Sequence, residues 1–228
     1  MKTILLTRSK EENSKLAAIL KAPNFKTILC PLVKRTAVNF DINILNKYSH
    51  IVITSSYTAK ILADKGYSNF KNLNFWLVGE TSANILRQVG GKIEYIAKNV
   101  EELICLFSER LFAHTLYLAG SEITRDLPKQ IDKLIIYNAA YTKELTRTQI
   151  KQIGIHLDYI LLYSQNCAKA LLDLLVQYDL LKKLENTVII AISSKVAEIV
   201  KPFFKTVIYC QTNDGILDLL FTHAKLRS

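Results

Sequence analysis

The chain has 228 residues, half of them hydrophobic and 22% charged, with a formal net charge of +10. That suits one large domain or two small ones with a real core, and no segment approaches the length needed to span a bilayer. The positive balance favours an acidic partner. The Lys and Arg residues are scattered, however, and no basic run carries the interleaved aromatics of a single-strand binder, which sets nucleic acid aside.

In chain order, MKTILLTRSK reads as a strand, since a signal peptide would need a longer apolar region and a small-residue cleavage site. The strand candidates are TILLT, HIVIT, FWLVG, KIEYI, TLYLA, KLIIY, YILLY, TVIIAI and TVIYC. Among them lie helical patterns such as EENSKLAAILK, SYTAKILADKG, TSANILRQVGG and VEELICLFSERL. Strands alternating with helices predict parallel sheets covered on both faces, and near-continuous apolar strands agree. Cys30, Cys105, Cys167 and Cys210 are dispersed without a C-x-x-C pair, which argues against a disulfide framework or a zinc site. His50, His114, His156 and His223 are equally scattered.

The chain writes one phrase twice. IVITSSYTAK (51–60) and ILLYSQNCAK (160–169) align Ser55 with Ser164, Ala59 with Ala168 and Lys60 with Lys169. Further on, VGETSANIL (78–86) aligns with ISSKVAEIV (192–200), and the match continues to Tyr95 and Tyr209, Asn99 and Asn213, Leu103 and Leu217. Matches in the same order at nearly constant spacing predict duplicated α/β domains.

In such sheets ligands bind beyond the carboxyl ends of the strands. The repeated phrases put small polar residues there: Thr54, Ser55 and Ser56; Gly79, Glu80, Thr81 and Ser82; Ser164, Gln165 and Asn166; Ser193 and Ser194. Free N–H groups at a helix start, joined by hydroxyls, make an anion site. Each turn taken singly reads first as an ordinary N-cap. Their recurrence at one edge of both repeats predicts two domains lining one cleft with neutral donors. The chain has no G-x-G-x-x-G, P-loop or G-x-S-x-G elbow. Any enzyme here works by positioning and hydrogen bonding.

Taken together, ILLTRS, VITSSYTA, VGETSANIL followed by Gly90, LYLAGSEITRDL, IIYNA and YILLYSQNCA resemble the uroporphyrinogen-III synthase family over nearly the whole chain. The resemblance implies two flavodoxin-like α/β domains with parallel sheets, joined by a two-stranded connector. Domain one would combine 1–33 with 146–228, domain two would span 38–142, and the crossing strands would lie near PLVKRTAV and AAYTKELT. It implies cyclisation of hydroxymethylbilane, a linear tetrapyrrole bearing acetate and propionate arms, with loss of water and inversion of the last pyrrole ring. It implies no metal or organic cofactor, and a monomer; the lack of a signal or membrane segment leads us to expect a soluble, cytoplasmic protein with no membrane or nucleic-acid partner.

By the same resemblance Tyr137 of IIYNA is the catalytic tyrosine that hydrogen-bonds or protonates the departing hydroxyl, with Tyr141 the competing assignment. Substrate-binding positions are Thr54, Ser55, Ser56, Gly79, Thr81, Ser82 and Gly120 in domain two, with Arg8, Ser164, Ser193, Ser194 and Lys195 in domain one. The Ser193–Ser194–Lys195 turn departs from the Gly and paired Thr of many relatives, which leaves its catalytic part open. The alternative to a cyclase is a non-catalytic two-domain binding protein for an acidic small molecule. A signalling receiver would want an acidic cluster at the strand ends, and the sequence has none there.

Overall fold

The computed structural model describes residues 1–66, 70–123, 125–210 and 213–226, without the side chains of 213 and 214. In chain order come β1 (Thr3–Leu6), α1 (Lys10–Lys21), β2 (Lys26–Leu29), β3 (Val33–Ala37), β4 (His50–Ile53), α2 (Ser56–Lys65), β5 (Asn74–Val78) and α3 (Glu80–Gln88). There follow β6 (Lys92–Ala97), α4 (Val100–Leu106), β7 (Thr115–Gly120), β8 (Asp132–Tyr141), α5 (Arg147–Ile155) and β9 (Tyr159–Leu162). The chain closes with α6 (Gln165–Gln177), β10 (Val188–Ala191), α7 (Ser194–Val200), β11 (Thr206–Tyr209) and α8 (Asn213–Leu226). Two compact units result. Unit one is Met1–Lys34 with Ala140–Ser228, and unit two is Arg35–Ala139.

The sheet of unit one has the order β11-β10-β9-β1-β2, every pair parallel. Numbered within the unit, this is the 2-1-3-4-5 order of flavodoxin-like sheets. Every residue of β9 and β10 is buried, as strands covered on both faces require. Ile4, Leu6, Tyr159, Leu161, Val188 and Ile190 form one face and pack with Leu16 and Leu20 of α1 and Ile216 and Leu220 of α8. The alternate residues Leu5, Ile160 and Ile189 are also fully buried, on the face served by α6 and α7. Helix α1 starts on a capping box: Ser9 accepts from the Glu12 amide while the Glu12 side chain reaches back to the Ser9 amide.

Unit two carries a six-stranded sheet, order β3-β8-β7-β4-β5-β6, with parallel pairing from β8 through to β6. One face joins Ile51, Ile53, Phe75, Leu77, Leu116 and Leu118 to Ala59 and Leu62 of α2 and Ala83 and Leu86 of α3. The other joins Val52, Tyr117 and Ala119 to Leu103 of α4 and to Phe107. Two local readings of the sequence change. KTIL forms an edge strand, β2, with only Ile28 buried, too little apolar alternation to announce itself. VEELICLFSERL breaks at Phe107, whose backbone turns extended, and a 3-10 turn (Glu109–His114) follows. Among the described residues no helix is long and apolar enough to cross a membrane.

At the amino end of sheet two, the Trp76 indole N–H donates to Nδ1 of His50 at 3.1 Å. That bond needs Nδ1 unprotonated. Desolvation lowers the His50 pKa; Glu94 opposes the shift, and His114 and Lys92 add to it. A histidine whose folded pKa is depressed contributes stability above its unfolded pKa, and this is lost as pH falls through the folded value. Trp76 is the chain's single Trp. Its emission is therefore expected to change reversibly on acidification below the ordinary histidine range, before the far-UV circular dichroism changes. His50→Leu should remove that step; an identical titration in the variant would place its origin elsewhere.

Candidate active site

A doubly wound sheet opens a crevice where neighbouring strands send their connections to opposite sides. Each unit has one such switch point, between β1 and β9 in unit one and between β4 and β7 in unit two.

In unit one, β1 runs into Thr7-Arg8-Ser9. The Thr7 hydroxyl donates to the Leu161 carbonyl at 2.6 Å. Asn13, fully buried, fastens the turn: its amide donates to the carbonyls of Leu6 and Arg8, and its Oδ1 accepts from the Arg8 N–H. The Arg8 guanidinium is ion-paired with Glu12 and lies 4.5 Å from the centroid of the Tyr163 ring. Burial pushes the Tyr163 hydroxyl up to about 12, against the pull of Arg8. Arg8 thus holds the end of β1 to the end of β9 and reaches this edge already engaged. Ser164 caps α6, accepting from the Cys167 N–H at 3.1 Å. At the neighbouring end of β10, Ser193 caps α7 without a side-chain hydrogen bond, and Ser194 and Lys195 are exposed.

In unit two, β4 delivers Thr54 and Ser55. Ser55 caps α2, accepting from the Tyr57 N–H at 3.3 Å, and Ser56 opens the helix half-buried. The hydroxyls of Thr54 and Tyr117 lie 2.8 Å apart. At the end of β5, Gly79 caps α3 with φ +82°, a conformation that favours glycine. Thr81 is exposed on the first turn, whereas the buried Ser82 hydroxyl turns inward and donates to the Val78 carbonyl at 3.2 Å. Ser82 therefore spends its proton on its own helix start.

Tyr137 reaches this edge through an irregularity. Along β7 and β8 the register pairs Leu118 with Leu134 and Ala119 with Ile135, then skips one residue to pair Gly120 with Tyr137. The extra residue is a β-bulge. It puts consecutive residues, Ile136 and Tyr137, into the same core cluster, where strict alternation would send them to opposite faces. Tyr137 is 6% exposed, and its ring meets the Tyr57 ring edge-on, centroids 5.0 Å apart. Its hydroxyl has no hydrogen-bond partner among the described residues. It is also not sealed off, since Thr58 Oγ1 is the sole fully buried polar side-chain atom without a partner among them. Tyr141 ends β8 in unit one's share of the strand, half-buried.

Thr54, Ser55, Ser56, Gly120 and Tyr137 thus gather at one switch point, and Gly79, Thr81 and Ser82 stand one strand further along the same edge. Arg8 and Ser164 meet at the switch point of unit one, with Ser193, Ser194 and Lys195 one strand further along. Sequence reasoning missed Tyr57, Tyr117, Tyr163 and Asn13. Tyr57 stood inside the quoted VITSSYTA, but its ring contact depends on the bulge. Among the described residues no group of three His, Cys, Asp or Glu side chains could hold a metal ion. The arrangement offers neutral N–H groups and hydroxyls at helix starts, together with one phenol hydroxyl that has no hydrogen-bond partner among the described residues.

Two doubly wound α/β units, one assembled from both ends of the chain and one from its middle, define the class of the protein. A model of the uroporphyrinogen-III synthase (HemD) family matches residues 14–214. The chain belongs to that family. An uncharacterised protein of Rickettsia prowazekii (strain Madrid E) is 37% identical, the match covering 99% of this chain and all of the relative. A Methanocaldococcus jannaschii protein provisionally named a uroporphyrinogen-III synthase is 24% identical, over 96% of this chain and 98% of its own. The same fold occurs in the uroporphyrinogen-III synthetase of Helicobacter pylori 26695 (TM-score 0.65, 16% identity, covering 98% of this chain and 100% of that one). It occurs again in a mutant uroporphyrinogen III synthase of the extremely thermophilic bacterium Thermus thermophilus (TM-score 0.65, 12% identity, both chains fully covered).

Proposed function

We propose that the protein cyclises hydroxymethylbilane to uroporphyrinogen III, with loss of water and inversion of the last pyrrole ring, as a monomer in the cytoplasm. Family membership supports the substrate class. The observation that carries the reading is the Tyr137 phenol, turned by a bulge to the β4/β7 switch point and without an internal partner among the described residues. The Tyr137 hydroxyl donates its proton to the terminal hydroxyl of the substrate, which leaves as water. Ring closure later releases one proton from a pyrrole carbon, so the balance closes without a cofactor. The carboxylate arms of the substrate suit N–H and hydroxyl donors at helix starts: Thr54, Ser55, Ser56, Gly79 and Thr81 in unit two, Ser164 and Ser193 in unit one. The net charge of +10 draws such a polyanion in from solution.

The test is isomer analysis. Purified protein is given hydroxymethylbilane, the products are oxidised, and the type I and type III uroporphyrins are separated. Unassisted closure gives type I, so enzyme-dependent type III is the expected result. Type I alone from folded protein would overturn the reading in favour of a non-catalytic binder of an acidic small molecule.

A further inference from the structure

Gly120 has no side chain for a reason of space. A Cβ placed on it would stand 2.2 Å from Cζ of Tyr137, 2.5 Å from Cε2 and 2.6 Å from the hydroxyl oxygen. Real Cβ atoms do not approach heavy atoms so closely, and the clash is with a ring that is itself held. Tyr57 packs against that ring at 5.0 Å with an interplanar angle of 81°. Tyr57 is fixed in turn: its N–H donates to Ser55 Oγ, its hydroxyl donates to the Arg35 carbonyl at 3.2 Å, and the Arg35 guanidinium lies 5.9 Å from its ring centroid. The bulge then decides which face of the sheet the phenol occupies. Three separate features of the chain converge on one side chain. The hydroxyl at its tip is the atom they leave without a partner among the described residues.

We propose that Gly120 and Tyr57 are positioning residues, which with the β8 bulge fix the aim of the Tyr137 hydroxyl. The catalytic side of this inference rests on the cyclase reading; the geometric side does not. A proton donor misplaced by about 1 Å forfeits much of its rate advantage, on the order of 10²-fold. Adding one methyl at position 120 forces the ring to move by at least that order, because the bare clearance is below any van der Waals contact.

Two readouts separate the inference from the reading beneath it. In the first, the protein is labelled with fluorotyrosine and the Tyr137 resonance is assigned by its loss in Tyr137→Phe. Gly120→Ala and Tyr57→Leu are expected to shift that resonance, and Tyr57→Phe to shift it less. In the second, steady-state type III formation is measured. Gly120→Ala is expected to lower kcat about tenfold or more with KM little changed, and to cause no further loss when added to Tyr137→Phe. Tyr57→Leu lowers kcat severalfold, and Tyr57→Phe recovers most of it because the ring contact survives. An unmoved Tyr137 signal in both Gly120→Ala and Tyr57→Leu overturns the inference, as does an equal Gly120→Ala loss on the Tyr137→Phe background. Should Gly120→Ala fail to fold, the Tyr57 pair decides alone. Wild-type protein that makes no type III isomer, yet shows the expected resonance shifts, sinks the cyclase reading and leaves the seat around Tyr137 standing.

Discussion

Tyr137→Phe is expected to lower the turnover of type III formation by about 10²-fold, the low end of what a positioned general acid contributes. The variant keeps the ring and hence its edge contact with Tyr57 and its place in the core cluster. It removes a hydroxyl that has no partner among the described residues, so the fold loses no internal hydrogen bond and the stability change should stay below about 1 kcal/mol. This separation of activity from stability is the useful part. The comparison is kcat for the type III isomer against the urea midpoint of the same preparation. Wild-type turnover in the variant would remove Tyr137 from the chemistry. Tyr141, in unit one's share of β8, would then be the next tyrosine to test.

The largest effect on stability is expected at Leu161. It is fully buried in β9, paired with Leu6 of β1 on one side and Ile190 of β10 on the other. Its side chain belongs to the cluster that α1 and α8 close over. Leu161→Ala removes buried methyl groups and leaves a cavity between three strands and two helices. Such changes cost about 2–5 kcal/mol, and a central strand packed on every side belongs toward the upper half of that range. Ile155→Ala is the control, because Ile155 is 74% exposed and should move stability by less than about 0.5 kcal/mol. Urea denaturation followed by circular dichroism reads both. Equal midpoints for the two variants would contradict the burial argument.

Much of this molecule was legible because buried parallel strands leave a coarse signature. YILL and VIIA are apolar at every position since both faces are covered, and TLYLAG of β7 is buried along its whole length in the same way. The helix starts were legible for a related reason: a strand ending in a Ser-bearing turn states where the helix begins, and Ser55 and Ser164 are both N-caps. What escaped is what depends on neighbours. Arg8 is expected from the sequence to bind substrate, but Glu12, one helical turn on, and the Tyr163 ring, far away in sequence, both claim it. Ser82 looked like one more donor until its helix turned the hydroxyl back to Val78. The bulge at Ile136–Tyr137 was illegible in principle. IIYNA opens on three consecutive apolar or aromatic residues, which hides where the alternation breaks, and only the pairing with Gly120 reveals the extra residue.

The division of unit one between the two ends of the chain also sets an order of events during synthesis. The amide of Thr3 finds its acceptor in Asp158, 155 positions later. At about 5–20 residues per second, β1 waits on the order of 8–30 s after leaving the ribosome before β9 arrives to cover its inner edge. Its apolar Ile4, Leu5 and Leu6 are exposed for that interval as an unpaired strand edge, the kind of surface that recruits other chains. Unit two suffers no such delay, because Arg35–Ala139 emerge as one continuous stretch. Unit two can therefore close its core while the first strand still lacks β9 as a neighbour.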